Sequence, residues 1–180
     1  MSAASDRERF ERLATVCGPT VLGYLARRAE PPADAADIYQ EVLIVVWRRL
    51  RSVPEDDGEA LGWMIGVARR SLANHRRGAV RHLAATERLW STLPGAVEVP
   101  ESDLDVIDAL EALDTKDREL ITLVYWDGLS CEQAATAIGI SAVTARKRLQ
   151  RTRDRLRDQL DQATGSEPVA PALHSRCATG

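Results

Sequence analysis

The chain has 180 residues, and its 24 basic and 27 acidic side chains give a formal net charge of −3, with only 4% aromatic residues. This length allows one large domain or two small ones, and the charge excludes a protein that coats nucleic acid by bulk positive charge. Because the N-terminus lacks an apolar signal core and no apolar run could cross a bilayer, we expect a soluble, cytoplasmic protein.

Cysteine and histidine residues are too scattered to suggest a metal or redox site. Cys17, Cys131 and Cys177 are far apart and odd in number, which fits a reduced compartment. No nucleophile–base pair, metal-ligand spacing or phosphate-binding loop can be recognised. We therefore expect no cofactor and no enzymatic activity.

Helical periodicity begins near the N-terminus. The pair Ser5 and Glu8 has capping-box spacing and predicts the start of a first helix. Gly18-Pro19 predicts a break and a second helix, whose buried side is formed by Val21, Leu22 and Leu25. Pro31-Pro32 then predicts a loop.

A third helix is predicted to begin at Asp34 and to lie in the core. Its apolar stripe consists of Ile38, Val42, Val45 and Val46, widened by Leu43, Trp47 and Leu50. Asp37, Gln40 and Glu41 lie at i, i+3 and i+4 and share one polar patch. From the pattern alone, this patch is either a solvated face with acids suited to the helix dipole or a binding site.

A fourth helix follows the acidic loop Pro54–Gly58 and is expected to end at Gly78. Its buried face is formed by Leu61, Met64, Ile65, Ala68 and Leu72. On the opposite side, at steps of seven, four and three residues, lie Trp63, Arg70, Asn74 and Arg77, with Arg69 nearby. An aromatic ring beside arginines suits single-stranded DNA, although a Trp half-buried against the core would give the same pattern.

The second half is predicted to be a separate helical domain. Residues 81–103, with a possible short helix in Val80–Leu93 and the run PGAVEVPES, are expected to form a linker after a first domain of residues 1–80. In the second domain, residues 104–162, Ile107, Leu110 and Leu113 form one stripe, and Asp114 or Thr115 caps a helix that Gly128 ends. The tail, residues 163–180, has no periodicity and is expected to be disordered.

The segment Leu129–Arg153 predicts a helix-turn-helix. Ser130 and Gln133 form a capping box, Gly139 is suited to a left-handed C-cap, and Ser141 is positioned to cap the next helix. That helix has a narrow apolar seam and is otherwise strongly basic, as expected of a helix in the DNA major groove. The candidate DNA contacts are Ser141, Thr144, Arg146, Lys147, Arg148 and Arg151. A basic helix that is only solvated is the alternative.

Four segments together resemble the extracytoplasmic-function group of the bacterial sigma-70 family, over nearly the whole chain except the tail. Asp37 to Glu41 is similar to the family's D-x-x-Q-E segment, and Trp63 to Arg69 resembles W-L-x-x-I-A-R. Leu113 to Glu119 resembles L-P-x-x-x-R-E. Gly128 to Arg148 resembles G-L-S-x-E-E-I-A-x-x-L-G-I-S-x-x-T-V-K-S-R. The departures from these patterns are Ala60 for Phe, Arg70 for Asn, Asn74 for Asp, Asp114 for Pro, Ala145 for Val and Lys147 for Ser.

The resemblance implies an all-α protein with sigma regions 2 and 4, which binds core RNA polymerase and directs transcription initiation. It assigns Asp37, Gln40 and Glu41 to docking on the β′ clamp helices, and it implies the β flap as a further contact on core polymerase. It assigns the −10 element to Trp63, Arg69, Arg70, Asn74 and Arg77. It assigns the −35 element to Ser141, Thr144, Arg146, Lys147, Arg148 and Arg151. Anti-sigma factors are partners of this family, but no residue here identifies one.

Two other classes of protein remain open on the residues alone. A stand-alone helix-turn-helix regulator would explain Leu129–Arg153 but would leave Asp37–Glu41 and Trp63 without a role. A protein-interaction module could use the basic helices to bind an acidic partner. Tight binding of the isolated chain to duplex DNA would favour the regulator, and salt-dependent protein binding without promoter selectivity would favour the module.

Overall fold

All regular structure in the computed structural model, which describes residues 3–86, 110 and 112–164, is helical. The chain divides into two compact units, Met1–Thr92 and Leu93–Gly180. The α-helices of the first unit are α1 Ala3–Val16, α2 Gly18–Ala26, α3 Ala35–Arg48 and α4 Asp57–Thr86. Those of the second are α5 Thr115–Tyr125, α6 Cys131–Ile138 and α7 Ala142–Thr164. The predicted all-α fold with two helical domains is confirmed.

The core of the first unit forms where α3 and α4 pack on each other and on α2. The innermost side chains are fully buried and include Leu13, Val21, Leu25, Ile38, Val42, Met64 and Ile65. Gly18 opens α2, with Pro19 in its first turn as predicted, and lies directly against the Tyr39 hydroxyl. A methyl group at position 18 would overlap that hydroxyl, so alanine there would force the Tyr39 side chain to shift.

Polar side chains bind the first unit's helices to loops far away in sequence. The Arg9 Nη2 atom donates to the carbonyl oxygens of Val53 at 2.6 Å and Pro54 at 3.1 Å. His75 Nε2 lies 2.8 Å from Asp34 Oδ2, joining α4 to the 3-10 turn Pro32–Asp34 that precedes α3. Asp34 was predicted to begin α3, but its side chain makes no capping hydrogen bond and bonds His75 instead.

In the described residues of the second unit, α6 and α7 pack on each other and on α5. Its core contains Leu120, Leu123, Leu129, Ala134, Ala145 and Leu149. Thr152 is also buried, and its hydroxyl donates to the Arg148 carbonyl at 2.8 Å, so it continues the seam of Ala145 and Leu149 along α7. The apolar seam predicted for this helix is Ala142, Ala145 and Leu149, of which Ala145 and Leu149 are buried and Ala142 is partly exposed.

Three local predictions for the first unit are wrong. Helix α1 contains Ser5 rather than starting after it, because Ala3 and Ala4 are strong helix formers that extend it toward the N-terminus. Leu22 is 39% exposed, since α2 turns Val21, Tyr24 and Leu25 inward. Trp47 is 50% exposed, and its ring makes an edge contact with Phe10 at a centroid distance of 5.3 Å.

The boundaries near the ends of both units also differ from expectation. Helix α4 continues through Gly78 to Thr86, because Gly78 keeps right-handed geometry and no proline follows to stop the helix. The first residues of the expected linker 81–103 are thus helical. The rest of the linker, and Ile107 of the second domain, lie outside the described residues. Helix α7 includes the first two residues of the expected tail, and residues 165–180 lie outside the described residues.

No helix in the described part of the chain is both long enough and apolar enough to span a bilayer.

Candidate protein and nucleic-acid interfaces

One face of α3 combines polar and apolar side chains in contact with solvent. Asp37, Gln40 and Glu41 are all exposed, and Ile44 continues their row with 50% exposure. The opposite side of the helix is buried through Ile38, Val42 and Val46, so α3 is held rigidly while this outer face remains accessible. Ile44 was not among the predicted residues, although its position outside the buried stripe was a usable signal. A rigid helix face of this mixed composition suits a protein partner.

The outer face of α4 places Trp63, Arg70, Asn74 and Arg77 along one side of a single uninterrupted helix. Arg70, Asn74 and Arg77 are exposed, whereas Trp63 is half-buried. The Arg77 Nη2 atom donates to Asn74 Oδ1 at 2.5 Å, which orders this end of the row. Arg69 is only partly exposed and lies between the outer face and the core. A tryptophan with three exposed polar side chains on one helix can offer both stacking and phosphate contacts.

The helix-turn-helix of α6 and α7 has the local geometry that its sequence predicts. Ser130 Oγ accepts from the Gln133 backbone N–H at 3.2 Å, and Gln133 Oε1 accepts from the Ser130 backbone N–H at 2.8 Å, which completes the capping box. Gly139 ends α6 with φ 74° and ψ 40°, in the left-handed region that favours glycine. Ser141 Oγ accepts from the Thr144 backbone N–H at 3.1 Å and caps α7.

Arg148 faces the body of the second unit. Its Nη1 atom donates to Asp117 Oδ1 at 3.0 Å and lies 3.9 Å from Asp114 Oδ2. Asp114 also caps α5, because its Oδ1 accepts from the backbone N–H groups of Lys116 at 2.7 Å and Asp117 at 3.2 Å. These two backbone hydrogen bonds, with Arg148 adding to them, lower the pKa of Asp114. Arg148 therefore secures α7 against α5, at a position where Asp114 stands in place of the expected proline.

Arg146 joins the two helices of the motif. Its Nη2 and Nε atoms donate to Glu132 Oε1 on α6, at 2.8 Å and 3.3 Å. The hydrogen bond from Arg146 lowers the pKa of Glu132, because it stabilises the ionised carboxylate. Both side chains are exposed, which leaves the ion pair open to exchange with other anions.

The remaining candidate residues of α7 lie on its outer side. Lys147 and Arg151 are exposed and make no ion pair with any residue that the structure describes. Thr144 is exposed, and its hydroxyl lies 2.8 Å from that of Ser141. The six predicted residues thus separate into three groups: the cap pair Ser141 and Thr144, the ion-paired Arg146 and Arg148, and the unpaired Lys147 and Arg151. In the described residues no group of three or more His, Cys, Asp or Glu side chains could hold a metal ion.

The second unit contains a capped helix-turn-helix, which defines a DNA-binding protein. The first unit has an exposed helix face of polar and apolar side chains, which suits a protein partner. Comparison with known families gives two matches. The family model described as "Sigma-70 region 2" matches residues 13–82, and that described as "Sigma-70, region 4" matches residues 103–156.

Several known proteins are similar over most of the chain. RNA polymerase sigma factor CarQ of Myxococcus xanthus is 30% identical, over 87% of this chain and 91% of its own length. ECF RNA polymerase sigma factor SigL of Mycobacterium tuberculosis is 29% identical, over 82% of this chain and 86% of its own length. Probable RNA polymerase sigma factor RfaY of Xanthomonas campestris is 30% identical over 93% of this chain, which spans 45% of that relative.

A solved structure has the same fold. It is the sigma factor RpoE of Bartonella quintana in complex with the anti-sigma factor NepR, with a TM-score of 0.55 and 23% identity over 84% of this chain and 96% of the RpoE chain. The chain belongs to the sigma-70 family, in its extracytoplasmic-function group. It is an RNA polymerase sigma factor, the subunit class that binds core polymerase and promoter DNA to start transcription.

Proposed function

We propose that this sigma factor acts in the cytoplasm, without catalytic activity of its own, through three surfaces defined by the residues above. The exposed row Asp37–Gln40–Glu41 with Ile44 docks on the β′ clamp helices of core polymerase. The outer face of α4 contacts the −10 element, and the outer side of α7 contacts the −35 element. The observation that carries this proposal is the simultaneous presence of the exposed α3 row and the capped helix-turn-helix in one chain.

Docking by α3 uses both charge and apolar area. Asp37 and Glu41 provide two carboxylates one helical turn apart, and Gln40 adds donor and acceptor groups. Ile44 supplies apolar surface that a partner would cover, and such a covered apolar centre is typical of protein interfaces. The linker 81–103 connects this unit to the second, which we place on the β flap; the acids of the linker would lie along the RNA-exit region.

Promoter opening by α4 would use Trp63, Arg69, Arg70, Asn74 and Arg77. An aromatic side chain can stack on a separated base, worth about 1–3 kcal/mol, and the arginines can bind the backbone phosphates of the same strand. A base captured in this way leaves the duplex at a cost of roughly a few kcal/mol, and these contacts would offset that cost. Each domain is thereby assigned one promoter element, the −10 element to residues 1–80 and the −35 element to residues 104–162.

Recognition of the −35 element would use the first turns of α7 in the major groove. Lys147 and Arg151 are exposed and unpaired within the described residues, so they can contact DNA without losing an internal ion pair. Arg146 can exchange Glu132 for a phosphate, because both partners are exposed. Arg148 contributes by holding α7 in position on α5, while Ser141 and Thr144 present hydroxyls at the start of the helix.

An anti-sigma factor is a further proposed partner, supported by the similarity to RpoE, whose structure contains NepR. Such a partner would have to cover the α3 row or the α7 surface to prevent transcription.

The experiment is in vitro transcription with bacterial core polymerase and a promoter library randomised at both elements. The proposed function predicts that adding the chain enriches one sequence at each element, and that scrambling either one abolishes the transcript. Enrichment of a single duplex site by the chain without core polymerase, with no transcript, would indicate the stand-alone regulator instead.

A further inference from the structure

An exposed apolar side chain lies on the outer side of α7 and has no role in the surfaces above. Val143, the second residue of the helix, is 58% exposed. Its neighbour one turn further on is Lys147, which is exposed and unpaired among the described residues. The buried seam of Ala145 and Leu149 lies on the opposite side of the helix, so Val143 points away from the unit's core.

The position of Val143 decides what it can contact. In helix-turn-helix proteins the residues at the N-terminal end of the second helix approach the edges of the base pairs. The neighbouring hydroxyls of Ser141 and Thr144 are engaged in the helix cap, and Arg146 is joined to Glu132. Val143 is therefore the outward side chain of the first turn that carries no polar group and makes no internal polar contact.

The chemistry of the major groove offers one apolar group, the 5-methyl of thymine, beside the hydrogen-bonding atoms of all four bases. A valine cannot hydrogen-bond to those atoms, but its methyl groups can pack on the thymine methyl. Resting on the proposed function of α7, we infer that Val143 is a specificity-determining residue that selects thymine at one position of the −35 element through this methyl contact. It acts beside Lys147, which supplies the polar contact of the same face.

The test removes the thymine methyl group from the DNA and, separately, the valine methyl groups from the protein. Holoenzyme is reconstituted with wild-type chain, with Val143→Ala and with Gln159→Ala, a control at an exposed position about four turns along the same helix. A −35 element enriched by the wild-type holoenzyme is then prepared with each thymine, on either strand, replaced in turn by deoxyuridine. Affinity for each duplex promoter fragment is measured by fluorescence anisotropy.

At one thymine, deoxyuridine is expected to lower the DNA affinity of the wild-type and Gln159→Ala holoenzymes roughly fourfold, which is the effect of one buried methyl group. The affinity of the Val143→Ala holoenzyme should be the same with thymine or deoxyuridine at that position. Alanine favours helix more than valine does, so the variant retains α7. Two results would overturn the inference and identify Val143 as an ordinary exposed apolar residue. One is that the affinity of Val143→Ala still depends on the thymine methyl group, and the other is that the wild-type affinity depends on no thymine methyl group. If the holoenzyme ignores a scrambled −35 element altogether, the proposed function of α7 fails instead.

Discussion

At the scale of single residues, the arginines of α7 have different tasks although the sequence presents them as one basic cluster. Arg148 bonds Asp117, which is buried, whereas Arg151 is exposed and unpaired within the described residues. A charged hydrogen bond of this kind contributes about 1.5–3 kcal/mol, and an exposed unpaired arginine contributes nothing comparable. One arginine therefore supports the fold while the other is available for DNA.

Replacing each of these two arginines by alanine separates the two tasks. Arg148→Ala should lower the free energy of unfolding of the second unit by about 1.5–3 kcal/mol, because it leaves the Asp117 carboxylate without its partner. Arg151→Ala should leave the free energy of unfolding unchanged and weaken −35-dependent binding by holoenzyme. Urea unfolding of both variants checks the first part, and equal stability of the two would contradict the assignment of Arg148.

The Arg146–Glu132 ion pair has a pH dependence with a definite sign. Arg146 lowers the pKa of Glu132 in the folded chain. The stability that the pair adds is therefore present in full above the ordinary pKa of glutamate, and it is lost as pH falls through the lowered value. In a carboxyl NMR titration, Arg146→Gln should raise the pKa of Glu132 toward its ordinary value, while Arg151→Ala should not. An unchanged Glu132 titration in Arg146→Gln would mean that the ion pair does not form.

At the scale of the elements, two glycines with different backbone geometry have opposite effects on their helices. Gly139 ends α6 at φ 74°, whereas Gly78 lies inside α4 with right-handed geometry, and a Cβ at either position would meet nothing within 4 Å. Space is therefore not the constraint at either position. The difference lies only in the backbone conformation that the residue must adopt.

Alanine at these two glycines should change stability in opposite directions. Gly139→Ala should destabilise the second unit by about 1–2 kcal/mol, because alanine is strained in the left-handed conformation. Gly78→Ala should stabilise the first unit by up to about 1 kcal/mol, because alanine favours the helix interior. Calorimetry should show shifts of about 4–8 °C per kcal/mol for units of this size. A stabilising Gly139→Ala would be inconsistent with the observed turn.

Local signals explain which elements could be predicted from the sequence. The capping box of Ser130 and Gln133 and the stop at Gly139 involve residues within one or two turns, so the sequence predicts them correctly. The pairs Arg148–Asp117 and His75–Asp34 join residues 31 and 41 positions apart, and no periodicity reports such contacts. Gly78 misled the prediction because a glycine weakens a helix without ending it.

The candidate site was predictable to a different extent in each unit. The exposure of Asp37, Gln40 and Glu41 agrees with the polar patch inferred from their spacing, while their role in docking came from resemblance to the family and stays a proposal. For α7 the sequence indicated a basic helix, but the division of its arginines into paired and unpaired ones depends on tertiary contacts. Val143 was missed because a single valine carries no signal until its exposure is known.

At the scale of the whole molecule, each unit is expected to act at a separate step of initiation. Trp63→Ala should slow promoter opening with little effect on formation of the closed complex, because Trp63 is proposed to stack on a separated base. Permanganate footprinting should report reduced reactivity at the −10 thymines, and a template with a premelted −10 region should restore transcription. Loss of closed complexes in this variant would assign Trp63 to duplex binding instead.

The two proposed DNA surfaces have a function only if the first unit brings them to polymerase. Docking through the α3 row is therefore the central claim. Asp37 is exposed on a helix that is anchored by its opposite side, so a charge reversal there should alter binding without unfolding the unit. Glu8 is an exposed acid on α1 and provides a matched control with the same change of charge.

Gel filtration with purified bacterial core polymerase tests this claim most directly, using the wild-type chain, Asp37→Arg and Glu8→Arg. We expect the wild type and Glu8→Arg to co-elute with core and Asp37→Arg to elute alone, with all three giving the same helical circular dichroism. Co-elution of Asp37→Arg at wild-type affinity would contradict docking through the α3 row, and failure of every form to bind core would contradict the proposed mechanism as a whole.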